Sequence, residues 1–211
     1  MTMPSNSLAD VRLMQLVSPA LPIGAFTYSQ GLEWAIEINW LNDSASIEDW
    51  LLGQMEGTLV YLDIPVYKRL FQAIGSNDKQ SAEYWSAFLL ACRETKELRQ
   101  EELNRGRALT RLLIDLPVKD AKDWQSILEQ CQSAGFAFAS NDWSISLEKS
   151  ALGFAWGWLE NQVAAAIKLV PLGQTAGQQL LLSLSTRLND IVTRGLVIDD
   201  DGIGANSTAL A

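Results

Sequence analysis

The sequence contains no histidine. Imidazole is the side chain that titrates nearest neutral pH and the commonest ligand for transition metals. Its absence removes Ser/His/Asp and Cys/His catalysis and most ready-made metal sites. Cysteine is scarce too: Cys92 and Cys131 lie far apart with no CxxC spacing, which excludes a disulfide framework or zinc site and leaves reduced, packed thiols. The run Asp199, Asp200, Asp201 is too flexible a cage for a tightly held cation. No resident metal, cofactor or catalytic residue is expected.

Clustered positive charge is missing as well. The 16 Lys and Arg are scattered in ones and twos against 25 Asp and Glu, giving a net charge of -9. Nucleic-acid binding needs grouped cations and is set aside, whereas an acidic chain suits a partner with a basic surface. No apolar run is long enough to span a membrane, no basic amphipathic helix suits a lipid surface, and MTMPSNSLAD lacks the charged and apolar regions of a secretory signal. These absences predict a cytoplasmic protein without a membrane partner.

What is present is a foldable chain: 48% hydrophobic and 19% charged residues over 211 positions, enough to bury roughly 70% of the unfolded surface. Apolar residues recur at three- and four-residue spacing, with no convincing period-two run. The reading is all-α, a single globular bundle of about ten helices, with one domain over residues 1–195 and a flexible C-terminal segment over 196–211. Helices are expected at about 8–17, 29–42, 46–61 and 63–75. The third should open on a capping box of Ser46 and Asp49, and the fourth should restart at Asp63, with Pro65 in its first turn. A long stretch over 78–116, broken near 91–95 or at Gly106, stops at Pro117. Further helices are expected over 121–134, 145–170 and 175–195, with GFAFASNDW as a connection.

Three segments invite a functional reading. In SPALPIGAFTYSQGLEWAI (18–36), two prolines dictate a loop leading into a helix, and that loop would present Phe26, Tyr28 and Glu33 to a partner. RETKELRQEELNRGRAL (93–109) reads mostly as a solvated face with pairs such as Arg93 to Glu97 and Glu101 to Arg105. In WLENQVAAAIKLVPLGQTAGQQLL (158–181), alanines and glycines fit a tight helical corner. Lys168 is a single cation on a very apolar helix, with Gln162 and Gln174 nearby in sequence, so it must be paired or exposed at a working surface. Asp63 before Pro65 reads as a helix N-cap.

Together these segments and the terminal IGANSTALA resemble the UreF family of urease accessory proteins, in family order and over almost the whole chain. The resemblance implies a dimer of helical subunits that bridges the GTPase UreG and the accessory protein UreD (also called UreH), delivers nickel to apo-urease, and gates or couples the GTPase step without being an enzyme. Carried onto this sequence, the expected partner-binding residues are Phe26, Tyr28, Glu33, Asp63, Glu94, Arg99, Lys168 and Gln174. Relatives usually continue past an A-L-A-like segment into a basic, aromatic tail, so the UreD contact is expected to be the less secure one here. Two rival readings have other signatures: direct stimulation of UreG through an arginine finger at Arg93, Arg99 or Arg107, and carboxylate catalysis using Glu33, Asp63, Glu94 or Glu160.

Overall fold

Ten α-helices and no strands make up the described part of the computed structural model, which covers residues 5–24, 31–170 and 172–204. They are α1 (Ser5–Leu16), α2 (Leu32–Glu37), α3 (Ser44–Gln54), α4 (Ile64–Gly75), α5 (Lys79–Ala91), α6 (Lys96–Asp115), α7 (Gln125–Leu128), α8 (Gln132–Asp142), α9 (Leu147–Leu169) and α10 (Gln174–Val197). A π-helical segment, Met55–Asp63, joins α3 to α4, and a 3-10 turn, Ala121–Trp124, precedes α7.

Helix starts fall where a side chain can accept the unpaired amide hydrogens of a first turn. Asp78 caps α5, Thr95 caps α6 and Ser146 caps α9. The box at α3 is Asp43 with Ser46, rather than Ser46 with Asp49: Asp43 Oδ1 accepts from the Ser46 amide at 2.8 Å, and the Ser46 hydroxyl accepts from the Asp43 amide. The helix therefore begins a half-turn earlier than the sequence pattern indicated.

The amphipathic helix α4 lies at the centre. It buries Ile64, Val66, Tyr67, Leu70, Ala73 and Ile74 against α5, α8, α9 and α10. Tyr67 is fully buried, stacked on Phe154 at 5.2 Å and edge-on to Phe136 at 6.0 Å. Gly195 lets α10 cross α4 closely, since a Cβ there would lie 2.7 Å from Ile64 Cβ.

Two expectations about the backbone change. GFAFASNDW is not a connection, and the helix expected over 121–134 is not continuous: α7 stops at Leu128, and Gln132–Asp142 is helix α8, with every residue from Gln132 to Ser140 buried. Its Phe/Ala alternation blurs the 3.6-residue period. The small residues let it sit between α4 and α6, where no side needs to be polar. Nor does the chain restart at Asp63. The path from Ser44 to Gly75 is continuously helical, and its wide π turns, with i to i+5 bonding, absorb the extra residue. Pro65 has no amide hydrogen to give the Tyr61 carbonyl one turn back. The Gly204 amide supplies that bond at 2.7 Å. Residues 198–204 are further tied to α4 by Arg69, which bonds Asp200 and the Ile198 carbonyl and lies over the Trp85 ring.

Candidate functional site

The short elbow between α5 and α6, residues 92–95, turns the side chain of Arg93 inward. Its Nη2 donates to Asp63 Oδ1 at 2.6 Å, and its Nε donates to Glu102 Oε2 at 3.0 Å. Glu102 uses its other oxygen to accept from the Gln132 amide at 3.1 Å, holding the first turn of α8. One turn along α6, Arg105 donates to Glu101 at 3.0 Å. Arg99 reaches back to close the elbow, donating to the Arg93 and Glu94 carbonyls at 2.6 and 3.1 Å. Three helical segments are thus clamped by charge at one point: the π segment through Asp63, α6 through Glu102, and α8 through its first amide.

These are interior charges. Asp63, Glu102 and Arg93 expose only 5%, 11% and 14% of their side chains. Burial pushes the Asp63 carboxyl above its usual range, against the pull of Arg93. Arg93 is disfavoured as a cation by burial, but Asp63 and Glu102 outweigh this and hold it firmly charged. The same burial raises both thiols, that of Cys131 to about 12, with Glu102 adding to the effect. A thiol so raised stays protonated and is a poor nucleophile or metal ligand.

The clamp forms one wall of a cavity of about 130 Å³. Ser18, Pro19, Leu21 and Ile23 of the loop after α1 form another wall, and Phe154 and Trp158 of α9 a third. Among the described residues no group of three or more His, Cys, Asp or Glu side chains is arranged to hold a metal ion.

The expected partner-binding residues fall into separate places. Asp63 and Glu94 line this cavity, and Arg99 fastens its rim. Asp63 is not the ordinary N-cap that its position before Pro65 indicated: it is buried, makes no capping bond and faces Arg93. Glu33 is exposed on α2, Lys168 is exposed in the last turn of α9, and Gln174 is exposed at the start of α10. Phe26 and Tyr28 lie outside the described residues. Of the arginines considered as fingers, Arg93 and Arg99 are engaged within the chain, and Arg107 is exposed.

The sequence reading missed Arg93 and Glu102 as interior groups. A signal was available: Asp63 is the single charge in Leu59–Tyr67, and a lone carboxylate inside so apolar a helix demands a buried cation. The pair expected between Glu101 and Arg105 forms, but out of solvent, with side chains only 5% and 11% exposed. Arg93 takes Asp63 and Glu102 as its ion-pair partners.

The sequence profile of the UreF family matches residues 41–185. The chain belongs to the UreF family. It is 45% identical to the urease accessory protein UreF of Alcanivorax borkumensis, over 98% of this chain and 93% of that one. It is 47% identical to that of Alkalilimnicola ehrlichii, over 97% and 90% respectively. Against the protein of the same name from Escherichia coli O157:H7 the identity is 44%, over 95% of this chain and 89% of the relative. As a UreF protein the chain is an accessory protein of urease and not itself an enzyme. Among the described residues no helix is long and apolar enough to cross a membrane.

Proposed function

We propose that this chain acts in the cytoplasm as the bridging component of urease maturation: as a homodimer it binds the GTPase UreG and the accessory protein UreD (UreH), and through them apo-urease. In this role it gates or couples the GTPase step while nickel, the cargo of the assembly, is passed to the urease centre. The observation that carries the reading is identity of 44–47% along nearly the whole chain with proteins named for this accessory role.

The structure lends support of a physical kind. Glu94 and Arg99 stand at an elbow whose shape is fixed from inside by the buried charges of Asp63, Arg93 and Glu102, which keeps a recognition surface there from having to order itself on binding. A second apolar region is available for assembly: Leu8, Val11 and Met14 of α1 are each at least half exposed, beside a groove lined by Leu152, Trp156 and Leu188. Apolar surface of this kind marks protein contacts more often than solvent faces.

The test is complementation. A host carrying the remaining urease genes but no UreF of its own receives this chain, and the nickel content and activity of the purified urease are measured. Restoration of both is expected. Urease that stays nickel-free while the chain is expressed and folded would contradict the reading.

A further inference from the structure

Helix α2 ends in a turn that places two tryptophans side by side in solvent. Asn39 adopts a left-handed conformation, φ 62°, the Trp40 amide donates to the Ala35 carbonyl at 2.8 Å, and the Asn39 amide donates to the Ile36 carbonyl at 2.9 Å. This pair of bonds is the Schellman termination of a helix, and it normally brings an apolar residue back over the preceding turn. Here the returning residue is Trp40, packed edge-on against Trp34 at 5.2 Å. Local folding explains the contact and does not explain its composition: an aliphatic pair would close the turn equally well. The two residues are nevertheless 47% and 55% exposed, with Ile38 also exposed between them in the sequence. Exposed tryptophan is costly to keep and is concentrated in the binding hot spots of interfaces.

The electrostatic surroundings say what would cover this patch. Between Arg12 and Lys68 the sequence has seven carboxylates and no lysine or arginine. Glu56 and Asp63 are neutralised by arginines from elsewhere in the fold. Glu48 accepts from the Ser183 hydroxyl, and Glu33, Glu37, Asp43 and Asp49 are exposed on α2, α3 and the turn between them. An aromatic centre with an acidic rim complements a cationic partner, because aromatic faces attract ammonium and guanidinium groups and the carboxylates steer them in.

We infer that the Trp34/Trp40 turn is a docking site for a basic segment of a protein partner, one that carries an apolar anchor among lysines or arginines. The site rests on the reading of this chain as an assembly protein, but it is tested apart from it. The probe is a fluorescent amphipathic helical peptide of about 18 residues with leucine on one face and lysine on the other; a leucine/glutamate peptide of the same pattern is the control. Anisotropy titration of the full chain should show saturable binding of the lysine peptide only. Trp34→Ser with Trp40→Ser should weaken it by roughly tenfold or more, and Glu37→Lys by severalfold, with the helical circular dichroism signal retained. Should the double variant lose its helical signal, the Glu37→Lys result decides alone. Equal binding of both peptides, no binding of the lysine peptide, or unchanged affinity in the folded variants would overturn the inference. So would tryptophan-dependent binding to zwitterionic lipid vesicles, which would assign the patch to a membrane. Complementation of urease with no peptide binding would end this proposal and leave the assembly role standing.

Discussion

The elbow between α5 and α6 and the corner between α9 and α10 are both short connections with a cation beside them, Arg93 in one and Lys168 in the other. Their surroundings are opposite. Arg93 sits in a charge-rich stretch that looks solvated, yet it is drawn inside by Asp63 from a distant helix and Glu102 from its own. Lys168 sits in one of the most apolar stretches of the chain, yet it is exposed in the last turn of α9, where a cation also suits the helix dipole. The charge density of the local sequence is therefore a poor guide to burial. What decides is the fold: two carboxylates from elsewhere in the structure hold Arg93 inside, while the end of α9 leaves Lys168 exposed.

The strongest way to break this contrast is Arg93→Ala, which leaves Asp63 and Glu102 buried without their cation. A loss of about 3–5 kcal/mol in unfolding free energy is expected, measured by urea denaturation. Asp63→Asn and Arg93→Met, alone and combined, should show a coupling within about 0.5–3 kcal/mol, and strict additivity would mean the pair is only adjacent. Gly106→Ala strikes the same region through packing, because its Cβ would lie 2.8 Å from the Glu129 carbonyl oxygen and 2.9 Å from the Cys131 amide nitrogen. Backbone cannot swing aside as a side chain can, so a loss of about 1–3 kcal/mol is expected.

A pH test probes the depth of the same interior. The Cys131 thiol ionises near 9 when unfolded and is pushed up to about 12 in the fold. The folded state then holds its proton while the unfolded state releases it, so stability is fully present below pH 9 and declines between about pH 9 and 12. The slope from this group is at most about 1.4 kcal/mol per pH unit. Cys131→Ala should flatten the decline relative to wild type in parallel denaturation curves. At the other end of the comparison, Lys168→Ala should change stability by less than about 0.5 kcal/mol while lowering urease activation in the complementation assay. Loss of helical signal in that variant would make Lys168 a structural residue.

Much of the fold was legible because helical periodicity and caps are local. The apolar period marked helices over 145–170 and 175–195, within two residues of the observed Leu147–Leu169 and Gln174–Val197, and Pro117 stopped α6 close to where it ends, at Asp115. The failures were of two kinds. In α8 a helix buried on all sides has no polar face to reveal its period, so small residues mimicked a connection. At Asp63 the π segment hides the helix from a 3.6-residue reading and carries the carboxylate inward, and its partner Arg93 lies thirty residues away in the sequence. Pairing across that distance is a property of topology. The family motifs put Asp63, Glu33, Lys168 and Gln174 forward alike, whereas the fold holds Asp63 inside and exposes the other three.

The most direct test of the assembly role is size-exclusion chromatography with light scattering, running the chain alone and then with UreD and UreG. The account predicts a dimer by itself and, with both partners, a single species whose mass fits two copies of each protein. A monomer that elutes apart from both partners would contradict it.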